Sequence, residues 1–228
     1  MKENICSFVF NFICMLQGYS VYLVLMYFSA FLVVLPIVIG LLKKVFLSKT
    51  LIPFFILTIC YLVLEIISAI SIHFHLSNMF SFRICTFLEA SLISIYFYRV
   101  LFKSISKYLV IIGYPFLLFF AYIDFKSKSP LEVDNLSLSL TSLFLVIYSL
   151  FTYYDSIQNI VDQDILSSPF FWLNTAVLFY FGGNLFLFIF SNYLTNGAQL
   201  NGLWIINLVL NVFYYSLITI GFWKHRIK

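Results

Sequence analysis

Residues 50–102 read TLIPFFILTICYLVLEIISAISIHFHLSNMFSFRICTFLEASLISIYFYRVLF, two long apolar runs joined by a short polar turn. Glu65 lies in the first run and Glu89 in the second. No other acidic residue lies inside an apolar run of the sequence. A carboxylate at membrane depth costs about 3 kcal/mol or more, so it usually faces the bundle interior or a wet cavity. Glu65 and Glu89 are therefore the first candidate functional residues.

The composition predicts an integral membrane protein. Of the 228 residues, 63% are hydrophobic and 10% are charged, and the mean hydropathy is +1.03. A soluble domain carries about 25% charged residues. Several runs reach the ~18 residues that a helix needs to cross a hydrocarbon core about 30 Å thick. We therefore expect an all-α, polytopic membrane helix bundle, with no soluble domain and no barrel.

Seven transmembrane spans are predicted, at residues 19–42, 50–73, 80–102, 108–123, 138–154, 170–190 and 203–223. Residues 1–18 are predicted to be an interfacial or leader-like segment, and an uncleaved leader is the alternative. Residues 19–223 form the seven-helix transmembrane domain, and residues 224–228 form a short basic tail. Asp155, Asp162 and Asp164 are expected in an acidic connector between spans five and six.

Basic residues predict the orientation of the chain. They cluster between spans one and two, between spans three and four, and after span seven: Lys43, Lys44, Lys49, Arg99, Lys103, Lys107, Lys224, Arg226 and Lys228. With seven spans all three clusters fall on one side, which the positive-inside rule makes cytoplasmic. Lys126 and Lys128, in the loop after span four, are the exception. The N-terminus is therefore expected outside and the C-terminus in the cytoplasm.

Polar residues gather at similar depth in several spans. At 1.5 Å per residue, Glu65 lies roughly 12 Å below His73 and Glu89 about 13 Å below Phe80. In spans six and seven the asparagines lie about 6 to 12 Å below the outer helix ends. The predicted ligand-binding residues of this outer pocket are Glu65, Ser68, Glu89, Asn184, Asn207, Asn211 and Tyr214. Its predicted mouth comprises His73, His75 and Arg83.

Two other interpretations apply to these polar positions. Asn and hydroxyl side chains often join membrane helices by hydrogen bonds of about 0.6 kcal/mol on average. The Gly182-Gly183-Asn184 run either unwinds span six locally or allows a neighbouring helix to pack closely.

Pro36 is expected to kink the helix of span one. The four cysteines, Cys6, Cys14, Cys60 and Cys85, are interpreted as small apolar packing residues.

Sequence motifs for catalysis are missing. The chain contains no HExxH, no GxSxG and no Gly-rich phosphate loop. His73 and His75 would point to different faces of a helix, which disfavours a metal site. We therefore predict no catalytic residue, no metal ligand and no cofactor, and an enzymatic role is unsupported. The net charge of +4 arises at the ends of spans and does not indicate a nucleic-acid partner.

The chain resembles a group of bacterial seven-helix membrane proteins over about residues 50–222. The resemblance rests on Glu65 and Ser68, on His75 and Glu89, on Ser168-Pro169-x-Phe171-Trp172, and on Tyr180-Phe181-x-Gly183-Asn184-Leu185-Phe186-Leu187-Phe188. Such proteins resemble the membrane input parts of sensory systems, and some accompany histidine kinases. The resemblance therefore implies a sensory role with a cytoplasmic signalling partner such as a kinase.

Three functions are compatible with these features. The first is a receptor-like or sensory module in which a small ligand or a proton enters from outside and meets the outer pocket. The second is a small solute transporter, or the substrate-binding subunit of one, with Glu65 and Glu89 as proton or cation sites. The third is an intramembrane hydrolase that uses Glu and His. The resemblance implies a bacterial inner (cytoplasmic) membrane, and the expected partners are the lipid bilayer and, for a sensory module, a separate cytoplasmic signalling partner such as a kinase.

Overall fold

The computed structural model describes residues 27–74, 79–101, 103–127, 135–159, 165–191 and 197–225. Within these ranges the chain forms helices and no strand, so the predicted all-α class is confirmed there. The α-helices are α1 (Val34–Leu42), α2 (Ile52–His73), α3 (Met79–Val100), α4 (Ser104–Ser127), α5 (Asn135–Asn159), α6 (Pro169–Ser191) and α7 (Gly197–Trp223). Short 3-10 helices, Val45–Leu47 and Ile165–Ser167, precede α2 and α6.

Six helices, α2 to α7, are long and apolar enough to cross a membrane. The first apolar helix, Tyr27–Leu42, is shorter. Residues 19–26 of the first predicted span lie outside the described residues, as does the predicted segment 1–18. The chain is therefore a helical membrane protein with six candidate spans and one shorter apolar helix. The seventh span and the orientation of the termini stay predictions.

The outward faces of the spans are apolar. Ile112 on α4 is 70% exposed, Phe186 on α6 is 63% exposed, and Phe213 on α7 is 59% exposed. Contiguous apolar surface of this kind is unusual on a protein that is surrounded by water. Against lipid tails, which are as apolar as leucine, it carries no comparable cost.

The helices follow one another around the bundle. Each packs against the next in sequence, and α1 closes the ring by packing against α7. The most extensive contacts join α6 to α7 and α5 to α6. α3 also packs across the bundle against α5, which leaves α4 at the periphery. The interior is consequently surrounded by α2, α3, α5, α6 and α7.

The interrupted first helix reflects Pro36. The helical stretch from Tyr27 to Leu42 contains a turn at Val33, after which α1 begins. Proline has no N–H and cannot donate to the carbonyl four residues earlier, and its ring crowds that carbonyl. The turn therefore falls in the helical turn that precedes Pro36, where its effect is expected.

One acidic residue was assigned to the wrong kind of segment. Asp155 lies in α5, not in a connector, and is 0% exposed. Its Oδ2 accepts a hydrogen bond of 3.4 Å from the backbone N–H of Lys103, immediately before α4. A carboxylate at a helix N-terminus is favoured because it accepts from free N–H groups there. The prediction that Asp155 belongs to the connector between spans five and six is therefore wrong. Asp162 and Asp164 lie outside the described residues.

The bundle is densely packed in one half. We define the basic end by its cationic residues, Lys43, Lys44, Lys49, Arg99, Lys103, Lys107 and Lys224. Near this end Phe54 and Tyr96, both fully buried, meet edge to face with ring centroids 4.6 Å apart. A Cβ on Gly40 would lie 2.6 Å from the ring of Phe55, which itself packs against Phe222. Glycine therefore lets α1 approach α2 and α7 closely. The half away from the basic end contains a cavity.

Candidate functional site

A cavity of about 440 Å³ lies between α2, α3, α5, α6 and α7, with residues 27–30 contributing beside α2. Helix bundles commonly hold ligands in such interior cavities, lined mostly by apolar side chains with a few polar groups. The acidic and amide side chains that line this one are Glu65, Glu89, Asn184, Asn207 and Asn211. Ser68 also lines the cavity, so six of the seven predicted ligand-binding residues are brought together.

Glu89 is the buried acid of the site. Its side chain is 5% exposed and lines the cavity from the middle of α3. Its Oε1 accepts a hydrogen bond of 2.7 Å from the Tyr61 hydroxyl of α2 and a longer one of 3.6 Å from Cys85 Sγ. Buried carboxyl groups are stable only when donors or opposite charges compensate for lost water. Tyr61 and Cys85 supply that compensation while the carboxyl group still borders the cavity.

Glu65 occupies a different environment in the same cavity. It is exposed, as is its neighbour Ile66, and both line the cavity from α2. The cavity therefore reaches the surface of the bundle beside α2. Thr86, one turn before Glu89 on α3, is buried and lines the wall, and its hydroxyl donates to the Phe82 carbonyl at 3.0 Å. Glu65 lies at the opening and Glu89 in the interior.

The three asparagines form a hydrogen-bonded chain across α6 and α7. Asn211 Nδ2 donates to Asn207 Oδ1 at 3.2 Å, and Asn207 Nδ2 donates to Asn184 Oδ1 at 2.8 Å. Asn184 is 1% exposed. The hydrogen bond between α6 and α7 is the interhelical role that such residues often have in membranes. All three side chains nevertheless line the cavity, so the chain also presents amide groups to it.

Gly183 allows α6 and α7 to approach at this point. α6 is continuous through the Gly182-Gly183 pair, so local unwinding is not observed. A Cβ on Gly183 would lie 2.6 Å from Leu210 of α7, whereas a Cβ on Gly182 would lie 3.9 Å from Val146 of α5. Close packing is therefore the interpretation that the geometry favours for Gly183.

Tyr214 packs among other tyrosine rings beside the cavity. It is 1% exposed, and its ring stacks on Tyr180, with centroids 4.4 Å apart and an interplanar angle of 25°. The Tyr61 ring meets Tyr214 at 6.1 Å and Tyr215 at 5.9 Å, both edge to face. We call Tyr61, Tyr180, Tyr214 and Tyr215 the tyrosine cluster. Tyr61, Tyr180 and Tyr215 line the cavity, whereas Tyr214, a predicted ligand-binding residue, packs against their rings and is not among the described lining residues.

The predicted mouth residues are dispersed. Arg83 lines a separate cavity of about 340 Å³ between α3, α4 and α5, together with Phe87 and Tyr122. His73 is exposed at the end of α2, where its ring packs edge to face on Phe74 at 5.4 Å. His75 lies outside the described residues. Neither His73 nor Arg83 is among the described residues that line the main cavity.

Several residues of the site were missed in the sequence. Cys85 contacts Glu89, so its interpretation as a packing residue is incomplete. Tyr61 precedes Glu65 by four residues and Cys85 precedes Glu89 by four, a spacing that places each pair on one helix face. This four-residue spacing could have identified Tyr61 and Cys85 as neighbours of the acidic residues from the sequence alone. Thr141 and Ser142 of α5 also line the cavity, but span five contains many hydroxyl residues and none is marked by its spacing.

The site is acidic. Among the described residues that line the cavity, none is Lys, Arg or His. Two carboxyl groups, three amides and several hydroxyls can therefore offer acceptors to a cation or a proton. The described part of the chain contains no group of three His, Cys, Asp or Glu side chains able to hold a metal ion. The lining groups therefore suit a positively charged guest.

Comparison of the chain with protein-family models, with curated proteins and with solved structures finds no match.

Proposed function

We propose that the cavity binds a small organic cation and that the protein is a receptor-like or sensory module of the bacterial cytoplasmic membrane. The observation that carries this proposal is the buried Glu89 carboxyl group, which borders a 440 Å³ cavity that has no cationic side chain among its described lining residues. A guest with a positive charge would therefore gain two carboxylate partners without displacing an existing ion pair in the lining.

Electrostatics favour a cation over an anion in this cavity. Opposite charges 4 Å apart attract by about 4 kcal/mol at the effective dielectric of a protein surface, and by more in its interior. An anion would instead be repelled by Glu65 and Glu89 when these are ionised. A low dielectric strengthens both the attraction of a cation and the repulsion of an anion, and it also raises the cost of taking either ion out of water, so the expected selectivity is for the sign of the charge.

Aromatic side chains of the lining indicate what the guest should contain besides its positive charge. Tyr61, Tyr180 and Tyr215 present rings to the cavity, and Phe181 and Phe188 add apolar surface. Aromatic faces attract organic cations through the ring quadrupole, by about 0.5 to 2 kcal/mol per contact. An amine or quaternary ammonium compound with an apolar portion would use both kinds of group. An inorganic cation would leave most of the apolar lining unused.

A sensory role agrees with how the cavity is built. Its walls come from five helices, so a bound cation would link the Tyr61–Glu89 pair of α2 and α3 to the Asn184–Asn207 pair of α6 and α7. A ligand shifts a conformational equilibrium when it contacts the alternative states differently. The resemblance to sensory input modules points the same way. The proposed signal would pass to a separate cytoplasmic partner such as a kinase.

Transport is the second candidate. Glu65 at the opening and Glu89 in the interior occupy successive positions, and paired carboxyl groups at membrane depth often carry protons or cations. Many transporters bind their substrate where spanning helices are discontinuous. The described stretches of α2, α3, α5, α6 and α7 are continuous along the cavity, which favours the receptor-like alternative.

The proposal is tested by ligand-dependent thermal stability. Purified protein in lipid nanodiscs is heated with a panel of alkyl and aromatic amines, quaternary ammonium compounds, and the neutral alcohols of the same shape. At a ligand concentration 100-fold above Kd, a bound amine should stabilise the protein by about 2.7 kcal/mol. We expect amines to raise the unfolding temperature and the matched alcohols to leave it unchanged.

Variants identify the groups responsible. Glu65→Gln and Glu89→Gln keep the side-chain shape and remove the charge, so the double variant should lose the amine response. Ser91→Ala is the matched control, because Ser91 hydrogen-bonds to Tyr114 at 3.1 Å and is not among the lining residues. Equal responses to amines and alcohols, or an undiminished amine response in the double variant, would refute the proposal. Uptake of the amine by proteoliposomes would instead favour the transporter.

A further inference from the structure

A third cavity, of about 570 Å³, lies at the basic end of the bundle. It is bordered by the connection between α1 and α2, by the last turn of α3 and by the first turn of α4. We call it the basic groove and define it by Phe46, Leu47, Lys49, Tyr98, Arg99 and Lys107. It is separate from the acidic cavity, which lies in the other half of the bundle.

The basic groove concentrates positive charge. Lys49, Arg99 and Lys107 come from three different segments of the chain and line the same groove. Among the described residues that line it, none is Asp or Glu. Three cations that face one cavity repel one another, and this repulsion is relieved when an anion binds between them. The groove is therefore suited to an anionic group.

The cations are held in place by neighbouring atoms. An Arg99 guanidinium N–H donates to the backbone carbonyl of Lys49, which fixes the arginine across the groove. The Lys107 ammonium lies 5.7 Å from the centroid of the Tyr98 ring. A guanidinium has five N–H donors, so Arg99 can still bind an oxyanion through the others. The planar fork of arginine fits phosphate oxygens particularly well.

Other cations at the same end have different surroundings. The Lys103 ammonium donates to Gln158 and lies 4.9 Å from the Tyr154 ring, and its backbone N–H contacts the Asp155 carboxylate. The Lys43 ammonium lies 4.8 Å from the Trp223 ring. Neither residue lines the basic groove. Concentration of positive charge in a cavity thus distinguishes Lys49, Arg99 and Lys107 from the general basic character of this end.

Apolar side chains border the cations. Phe46 is 41% exposed and Leu47 is 67% exposed, and both belong to the groove. Basic pockets between membrane helices on the cytoplasmic side bind lipid phosphates. We propose that the basic groove binds the phosphate headgroup of an anionic phospholipid, with its acyl chains packed against Phe46 and Leu47. A free phosphate ion would leave those apolar side chains unused, so the lipid is the occupant to which the structure points.

Native mass spectrometry of the full chain tests this assignment. Protein released from nanodiscs that contain phosphatidylcholine with phosphatidylglycerol or cardiolipin should retain the anionic lipid preferentially. The variant Lys49→Gln/Arg99→Gln/Lys107→Gln should lower the affinity for that lipid about a hundredfold, because each basic residue contributes roughly a factor of five. Arg99→Lys keeps the charge and loses the planar fork, so it should give a smaller loss.

The control removes the same charge elsewhere. Lys43→Gln/Lys44→Gln/Lys224→Gln changes three cations at the same end outside the basic groove, and it should retain the lipid like the unaltered protein. Equal losses in the two triple variants would show a diffuse charge effect and overturn the proposal. Displacement of the lipid by millimolar inorganic phosphate would identify a phosphate-ion site and overturn it too. If the triple groove variant does not fold, Arg99→Lys serves as the test. Unchanged lipid retention in Arg99→Lys would then contradict the proposed lipid site.

Discussion

The Tyr61 hydroxyl of α2 donates a hydrogen bond of 2.7 Å to Oε1 of Glu89 on α3, inside the bundle. The same tyrosine places its ring against Tyr214 and Tyr215 of α7. One side chain therefore touches both the buried acid of the cavity and α7, another helix of the cavity wall. A guest that competes for the Glu89 carboxyl group would also disturb the packing between α2 and α7.

We first predict that Tyr61→Phe destabilises the protein. The variant leaves the buried Glu89 carboxyl group without its hydroxyl donor, which costs about 1 to 3 kcal/mol. This exceeds the average of about 0.6 kcal/mol for hydrogen bonds between membrane helices, because the acceptor is an acidic group. Unfolding in a denaturing detergent measures the change. Tyr154→Phe removes a hydroxyl from a 55% exposed ring and serves as the control. Equal stability of the two variants would contradict the assignment.

The asparagine chain predicts a ranking of two substitutions. Asn207 both donates to Asn184 and accepts from Asn211, so Asn207→Ala breaks two hydrogen bonds. Asn211→Ala breaks one of these. At roughly 0.6 kcal/mol per bond, Asn207→Ala should cost about twice as much as Asn211→Ala. The same unfolding assay gives both values. A larger effect of Asn211→Ala would show that the chain of amides does not hold α6 and α7 together.

The adjacent glycines of α6 provide a matched pair. Gly183→Ala would place a Cβ 2.6 Å from the Leu210 side chain of α7, which must move to accommodate it. Gly182→Ala would meet Val146 only at 3.9 Å, an ordinary contact. We expect Gly183→Ala to destabilise the protein by about 1 to 3 kcal/mol, as for an overpacked core. Gly182→Ala should have little effect or stabilise the helix slightly. Equal effects would refute the close-packing interpretation.

Asp155 is predicted to stabilise the start of α4. Its carboxylate is 0% exposed and accepts from the Lys103 backbone N–H. Asp155→Ala removes this acceptor and should cost about 1 to 2 kcal/mol, the usual loss for a helix cap. Gln158→Ala, which removes an exposed acceptor for the same lysine, should cost less. The rate of amide hydrogen exchange at residues 104–108 should rise in Asp155→Ala and not in Gln158→Ala. An unchanged rate in Asp155→Ala would contradict the proposed stabilisation of α4 by Asp155.

The sequence was sufficient to predict much of the cavity because helical rise is constant. Counting residues from the helix ends placed Glu65, Glu89 and the three asparagines at similar depth, and all of them line one cavity. The rotation of each helix about its own axis is set by packing, which the sequence expresses only weakly. Arg83 illustrates this: it lies about 120° around α3 from Glu89, and it lines a different cavity.

The helix ends were harder to predict. Span five was ended at Tyr154, where the apolar run stops, but α5 continues to Asn159. Hydropathy marks the part of a helix that lies in hydrocarbon, whereas the helix itself continues as long as its backbone bonds and caps are satisfied. Asp155 was misassigned for that reason, since its partner Lys103 is distant in the sequence. The tyrosine cluster was missed because four tyrosines from three helices have no sequence pattern that joins them.

Charge-selective labelling of Cys85 measures whether this cavity favours cations. In a variant with Cys6, Cys14 and Cys60 replaced by serine, the cationic trimethylammonium-ethyl and the anionic sulfonatoethyl methanethiosulfonates compete for Cys85 Sγ, which lies 3.6 Å from Glu89 Oε1. The ratio of the two rates cancels the intrinsic reactivity of the thiol.

We predict that the ratio for Cys85 exceeds that for a free thiol by about tenfold or more, the factor that about 1.4 kcal/mol provides. Glu65→Gln/Glu89→Gln should bring the ratio down to the value of a variant that keeps only Cys60, which is not among the cavity-lining residues. If the anionic reagent labels Cys85 as fast as the cationic one, the cavity does not select for positive charge, which contradicts the proposed binding of a cation.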